Sequence, residues 1–473
     1  MSYLYRYETK GIQSWILSSN KLRDLAGGSA LVEGLTAAAR EGALEHEARV
    51  IQATSGAMTA LFPSLEKLEA FASEWPMQVA YRAPGLQLVQ AWVPEKEGQD
   101  ALFEALSRKR NEIELTQLDL NPWVLRAGRS GLPAVRIPEG LRSNARQTAV
   151  DQIAVAKERA RADARRDQAA EVLGGCFWED FEESLEAWPE GPVAVIHADG
   201  SGVGQRLQSI GKEGNLDKFE SFSAQLKAAS AAATRAAVGT LRPGKEGGKL
   251  FARPVVSAGD DLTFILRASE ARRFCEAWLR AFEAETEKHK DALKGKLYAG
   301  AGIVMLNRGY PFAAAYEMAE ALCKAAKDAA KKDDPNRSVL AFRRITNSLV
   351  DDVASGTAAW IVDGDATADA PLERLVNTVR DLPRGTLRTW LDHYQRPDGE
   401  TRAGQLWARA EEVAKEREWK DFRDALSAVG ANPDTGGFEQ AGQVALPLGN
   451  EKRPTPVYDA LTLRFVERNG EEH

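Results

Sequence analysis

A strand–helix–strand–strand–helix pattern occurs twice in this chain, the two copies starting about 190 residues apart. The first copy reads as a strand at 2–7 and a helical stretch from Gly11-Ile12-Gln13 to Leu35, broken at Gly27-Gly28. Strands at 49–53 and 57–62, a helix at 65–79 and a strand at 86–93 follow. The second copy reads as a strand at 192–198, a helix at 219–238 and a hairpin over 253–266. A helix at 268–287, a strand at 297–305, an extra helix at 311–331 and a strand at 338–343 complete it. Runs rich in β-branched and aromatic residues mark the strands, and 3.6-residue spacing marks the helices. The order βαββαβ is that of a ferredoxin-like, or palm, domain. The fold class expected is therefore α+β: a first palm at 1–98, a helical linker at 99–190, a second palm at 191–345 and a helical C-terminal domain at 346–473.

Composition narrows the class. A chain of 473 residues, 44% hydrophobic and 28% charged, is a soluble globular protein of roughly two to four domains. A net charge of −7 supplies no overall basic field for nucleic acid, which leaves only a local groove for it. The three cysteines (Cys176, Cys275, Cys323) lie far apart, and the five histidines form neither HExxH nor a His-Asp pair. A disulfide framework or a Cys/His zinc site is not expected. No leader precedes the first strand, and no apolar run approaches the ~20 residues that span a bilayer. A cytoplasmic protein without membrane contact is expected.

The chemistry concentrates at Ala258-Gly259-Asp260-Asp261, between two apolar, β-prone runs. Gly259 tolerates positive φ and lets a ligand approach the backbone. Adjacent carboxylates repel unless a cation offsets them, and oxygen-only ligands point to Mg²⁺ or Mn²⁺. The alternative is an ordinary solvated turn. In the ferredoxin-like order the first and third strands are neighbours, which brings Asp199 beside Asp260 and Asp261. Three carboxylates can hold two divalent ions in the manner of nucleotidyl transferases, one activating a 3′-hydroxyl and both neutralising a triphosphate. Gly200-Ser201-Gly202-Val203-Gly204 would turn backbone N–H groups toward phosphate. Its spacing is GxGxG, not the GxGxxG of a dinucleotide fold, and Asp199 precedes it directly.

Other residues divide between chemistry and structure. Lys327 would reach a triphosphate, or belong to a solvated lysine-rich helix end over 324–332. His197, within an apolar strand, reads as a buried, hydrogen-bonded histidine. The first copy has Ser55-Gly56-Ala57-Met58 at the hairpin and Glu8 near the place of Asp199, so it lacks paired carboxylates and looks supportive. The charged helix over 144–170 reads as a solvated linker. Trp360, Trp390, Trp407 and Trp419 read as core or interface anchors, and 457–465 as a strand or short helix.

In this order the motifs resemble those of the large polymerase-like subunit of type III CRISPR effectors, a cyclic oligoadenylate synthase with two palms. More distantly they resemble GGDEF-type diguanylate cyclases. Gly11-Ile12-Gln13, Leu22-Arg23 and Gly28-Ser29 are similar to the family's first-palm motifs. Asp199 to Gly204, Ala258 to Asp261 and Ala325-Ala326-Lys327 are similar to those of its second palm. The chain departs from the pattern at Ala258, which replaces a glycine, and at Ser201, where the family often has aspartate. No His-Asp nuclease segment precedes the first palm, and 124–134 lacks zinc-ribbon cysteines. A reduced or stand-alone relative is the expectation.

The resemblance implies a metal-dependent nucleotidyltransferase making a cyclic (oligo)nucleotide messenger from NTP, ATP being the family's usual substrate, in antiviral defence. Asp199, Asp260 and Asp261 would be catalytic and hold two Mg²⁺ or Mn²⁺. Gly200, Ser201, Gly202, Gly204, Ala258, Gly259 and Lys327 would bind nucleotide, with Gly28 and Ser29 on the opposite wall. Implied partners are CRISPR effector subunits and RNA, or a second copy of the chain, and a downstream effector that senses the messenger. The alternative is a catalytically silent scaffold that binds guide or target RNA and partner subunits. A nucleotide sensor without turnover is a third option.

Overall fold

A computed structural model describes residues 1–19, 22–54, 56–112, 123–128, 130–136, 149–163, 173–174, 177, 191–243, 250–346, 353–354, 357–362, 371–383, 385, 389, 407–433, 444–448 and 456–468. The first palm comprises β1 (Tyr3–Lys10), α1 (Ile12–Ile16), α2 (Leu22–Glu45), β2 (Arg49–Thr54), β3 (Ala57–Phe62), α3 (Leu65–Arg82) and β4 (Gln87–Pro94). Its antiparallel sheet has the order β2-β3-β1-β4. Tyr5, Phe62, Phe71 and Trp75 pack edge-on or stacked beneath the helices. Ser64 caps α3 by accepting from the Lys67 amide.

The expected break at Gly27-Gly28 is not there. Helix α1 ends at Ile16 and α2 starts at Leu22, and α2 then runs unbroken through both glycines. They are explained by packing: a Cβ on Gly27 would lie 2.0 Å from the carbonyl oxygen of Lys157. That carbonyl belongs to α5 (Gln152–Asp163), which follows α4 (Gly98–Asn111) and the short strands β5 (Ala134–Arg136) and β6 (Val150–Asp151). The charged helix read as a solvated linker is therefore corrected for its described part. Helix α5 lies against α2 and buries Lys157 completely.

The second palm contains β7 (Val193–Gly200), α6 (Val203–Lys212), α7 (Leu216–Val238), β8 (Ala252–Ala258), β9 (Asp261–Arg267), α8 (Ala268–Lys288), β10 (Ala299–Leu306), α9 (Phe312–Asp333) and β11 (Val339–Arg344). The residues after 346 supply helices α10 (Pro371–Asp381), α11 (Glu416–Ala428) and α12 (Pro456–Arg468), the last settling 457–465 as helix. They also supply two strands that the sequence did not suggest, β12 (Ala358–Ile361) and β13 (Ala445–Pro447). These extend the second sheet to the order β13-β12-β11-β10-β7-β9-β8, in which only β10–β11 is parallel. Three- and four-residue strands at a sheet edge carry too little period to be read from sequence.

Trp360, Trp407 and Trp419 are buried. Trp360 donates to Asp459, and Trp407 and Trp419 cluster with Phe422, as core anchors should. Trp390 lies outside the described residues. The two palms share one apolar core, in which Tyr5 and Leu31 of the first join Val195, Val255 and Ile265 of the second.

Candidate active site between the palms

Residues Ala258 and Asp261 pair across the β8–β9 hairpin, which leaves Gly259-Asp260 as a two-residue turn. Gly259 adopts φ +62°, the left-handed region that favours glycine in such turns. On the adjacent strand β7, Ala198 is opposite Leu262, so Asp199 follows beside the hairpin tip. The other neighbour of Asp199 is Gly300 on β10. Gly300 and Gly302 let α9 approach the sheet closely: their Cβ atoms would lie 2.4 Å from Lys327 Cγ and 2.1 Å from the Ala319 carbonyl. That approach sets the Lys327 ammonium in an ion pair with Asp199, 3.4 Å from the Gly200 carbonyl.

The carboxylates are electrostatically crowded. Asp260 leans on Gly200, whose Cβ would lie 2.9 Å from that of Asp260. Burial, and then the Asp199 charge, push the Asp260 carboxyl up to about 7. Burial, then Asp199 and Asp260, push Asp261 up to about 8, against a lowering hydrogen bond from Gln13. The Asp261 side chain keeps 27% of its exposure, yet its Oδ1 is enclosed without a hydrogen-bond donor. His197 Nδ1 lies 3.5 Å from that oxygen and 3.4 Å from Thr263 Oγ1. Burial drives the imidazole down to about 4, so it is neutral and brings no cation to Asp261. Among the described residues, Lys327 is the ammonium that pairs with the trio, through Asp199.

Gln13, from α1 of the first palm, donates its amide to Asp261 Oδ2. Around this contact a cleft opens between the palms, with a cavity of about 160 Å³. The cavity is smaller than the ~300–1,000 Å³ of typical small-molecule sites, so a nucleotide would need the palms to part or would sit partly in solvent. Ile12, Gln13, Ile16, Ser29 and Glu33 line the first-palm side, and Leu226, Val255, Ser257, Gly259, Asp260 and Asp261 the second. Its mixture of apolar walls with a few carboxylates and hydroxyls suits a ligand with a flat apolar part and a charged part.

The predicted positions divide into two sets. Ser29, Gly259, Asp260 and Asp261 meet at the cleft, and Asp199 with Lys327 sits directly behind the hairpin tip. Gly28 does not line the cleft; a Cβ there would meet Ile16 and the Lys157 stem. Gly200, Ser201, Gly202 and Gly204 form the β7–α6 junction. There Ser201 N–H donates to the Tyr298 carbonyl and Gly202 opens α6 at φ +74°. Ala258 closes the hairpin opposite Asp261. Glu8 is held by Arg6 at 2.8 Å and by Arg110, so the first palm's carboxylate is neutralised within the protein.

From sequence, Gln13 stands out only as part of the Gly11-Ile12-Gln13 motif. The signal in the sequence is the glycine after the first strand of each palm, and the structure bears it out: Gly11 opens α1 at φ +63° as Gly202 opens α6. Ser223, on α7, also faces the cleft with an enclosed hydroxyl that has no partner.

The trio fits a hard divalent ion in its chemistry: the donors are oxygen only, and an enclosed carboxylate oxygen lacks a partner. Among the described residues, no three His, Cys, Asp or Glu side chains are arranged to hold a metal ion in this conformation. Among the described residues, no helix is long and apolar enough to cross a membrane.

Residues 192–335 match the family model described as Cas10/Cmr2, second palm domain. Similar solved structures are Csm1–Csm4 cassettes. The one in complex with pppApA is 15% identical with TM-score 0.53, covering 98% of this chain and 69% of that chain. The cA4 complex gives 16%, 0.54, 98% and 70%, and the AMPPNP complex 16%, 0.53, 99% and 69%. No curated protein matches the sequence. The second palm thus matches the Cas10/Cmr2 second-palm family, and the chain as a whole shares the fold of the similar chains in the Csm1–Csm4 structures.

Proposed function

We propose that this chain is a metal-dependent nucleotidyltransferase that joins NTPs, ATP first among them, into a cyclic (oligo)nucleotide messenger. The observation that carries this is the cleft in which Asp260 and Asp261 of one palm face Gln13 and Ser29 of the other. Structures of similar fold hold pppApA, cA4 and AMPPNP, which are linear, cyclic and unreacted adenylates. In this reading Asp199, Asp260 and Asp261 hold Mg²⁺ or Mn²⁺. The ion, when bound, supplies positive charge against the triphosphate. Gly259 lets the ligand approach the hairpin backbone, and Lys327 adds charge beside Asp199. The apolar walls exclude water from a base.

The similar structures pair Csm1 with Csm4 in a type III-A interference complex. A Csm4-like subunit, RNA, a second copy of this chain and a messenger-sensing effector are the partners this reading calls for, in the cytoplasm. Lys327 on Asp199 and Gln13 on Asp261 favour a second reading, in which internal donors hold the carboxylates and the chain is a silent scaffold. Incubation with each of the four NTPs and Mg²⁺ or Mn²⁺, with products separated by mass, decides between them. Linear or cyclic oligonucleotides support the enzyme. NTPs recovered unchanged, even with target RNA and partner subunits added, support the scaffold.

A further inference from the structure

Helix α5 carries a lysine that the cleft chemistry does not use. Lys157 is 0% exposed. Its Nζ lies 2.6 Å from the Trp15 carbonyl, 2.9 Å from the Ile16 carbonyl and 3.0 Å from Ser18 Oγ, and 4.7 Å above the Trp15 ring. Three acceptors match the three N–H bonds of an ammonium group, which is what a buried charge requires.

The partners are informative. Trp15 and Ile16 end α1, where carbonyls carry partial negative charge; the Trp15 carbonyl also accepts from Ser18 Oγ at 2.8 Å, so Lys157 and Ser18 cap this end together. Helix α1 has only five residues, too few to hold its own shape without tertiary support. Its other face supplies Ile12, Gln13 and Ile16 to the cleft, and Gln13 reaches Asp261. Gly27 and Gly28 secure the lysine's approach, since Cβ atoms there would meet the Lys157 carbonyl at 2.0 Å and its Cε at 3.3 Å. Asp24 on α2 and Asp151 on β6 are the acidic groups that act on the ammonium.

We propose that Lys157 is a positioning residue: by capping α1 from the inter-palm linker, it fixes the first-palm wall of the cleft and holds Gln13 against Asp261. Docking of the linker on α2 thereby sets how well the cleft takes a nucleotide. The second statement rests on the nucleotide reading of the cleft; the first does not.

The test uses the full chain and two readouts. Lys157→Met keeps the stem and removes the ammonium, and Gly27→Ala lifts α5 by a different route. In hydrogen exchange, both variants are expected to raise exchange across 12–16 at least tenfold while β7 and β9 stay protected. With AMPPNP and Mg²⁺ as the probe, Lys157→Met and Gln13→Ala are each expected to weaken binding about tenfold, and the double variant no more than either. Unchanged exchange at 12–16 in Lys157→Met overturns the proposal whether or not nucleotide binds. So do effects that multiply to about a hundredfold, which would mean independent roles. If wild type binds no AMPPNP but exchange at 12–16 rises, positioning stands and the nucleotide reading falls. Should Lys157→Met fail to fold, Lys157→Gln, which retains two donors, carries the same comparison.

Discussion

The Gln13 amide hydrogen-bonds Asp261 Oδ2 across the palm–palm interface, joining residues 248 positions apart. It is a direct polar link between the first palm and the hairpin carboxylates. With the Asp261 carboxyl raised to about 8, it is largely protonated near neutral pH, and a hydrogen bond of this kind contributes about 0.5–1.5 kcal/mol. Gln13→Ala is therefore expected to weaken nucleotide binding about tenfold while leaving the unfolding transition cooperative. Calorimetric titration beside a melting curve reads both; unchanged affinity would contradict the link.

The crowding of carboxylates predicts a pH dependence with a definite sign. Asp260 and Asp261 rise from an ordinary 3.8 to about 7 and about 8. Between these limits the folded state binds more protons than the unfolded one, so this contribution to stability is lost as pH rises from ~4 to ~8. Metal-free protein should melt at progressively lower temperature across that window. Asp261→Asn should flatten the slope, and millimolar Mg²⁺ should recover stability at the high-pH end. A flat wild-type profile would mean that neither burial nor mutual repulsion raises these carboxyls.

The close approach of α9 gives a packing prediction. Gly302→Ala forces a methyl group against the Ala319 carbonyl, and overpacking of this kind costs about 1–3 kcal/mol. Urea unfolding should show that loss with an unchanged m-value. Gly300→Ala meets the flexible Lys327 stem instead, so it should cost less stability but draw the ammonium off Asp199.

Lys157 predicts the opposite pH sign. Burial, opposed by Asp24 and Asp151, lowers its ammonium from 10.5 to about 8. The unfolded chain then binds more protons between those values, so this contribution to stability rises from pH ~8 to ~10.5. Lys157→Met should remove that rise, and stability curves at pH 8, 9 and 10 would show it.

Both ferredoxin-like units were legible because each strand and helix was long enough to show its period. The hairpin carboxylates were legible because Gly259 and two adjacent aspartates form an unusual local pattern. Residue pairs set by tertiary approach were not. Gly27-Gly28 looked like a helix break because glycine disfavours helices, yet it is a contact point for α5. Lys157 looked solvated among its charged neighbours because nothing local marks the carbonyls of α1 as its partners. The strands β12 and β13 are too short to declare themselves; β12 pairs with the β11 edge, and β13 in turn with β12.

Pyrophosphate release is the most direct test of the proposed activity. Wild type and the Asp260→Ala/Asp261→Ala variant would be compared with ATP and Mg²⁺ or Mn²⁺, with target RNA and partner subunits both present and absent. The expected result is metal-dependent release by wild type in at least one of these conditions, lost by the variant while its fold and melting transition persist. Equal release by both proteins, or none by wild type under any condition, would contradict a catalytic role for the hairpin carboxylates.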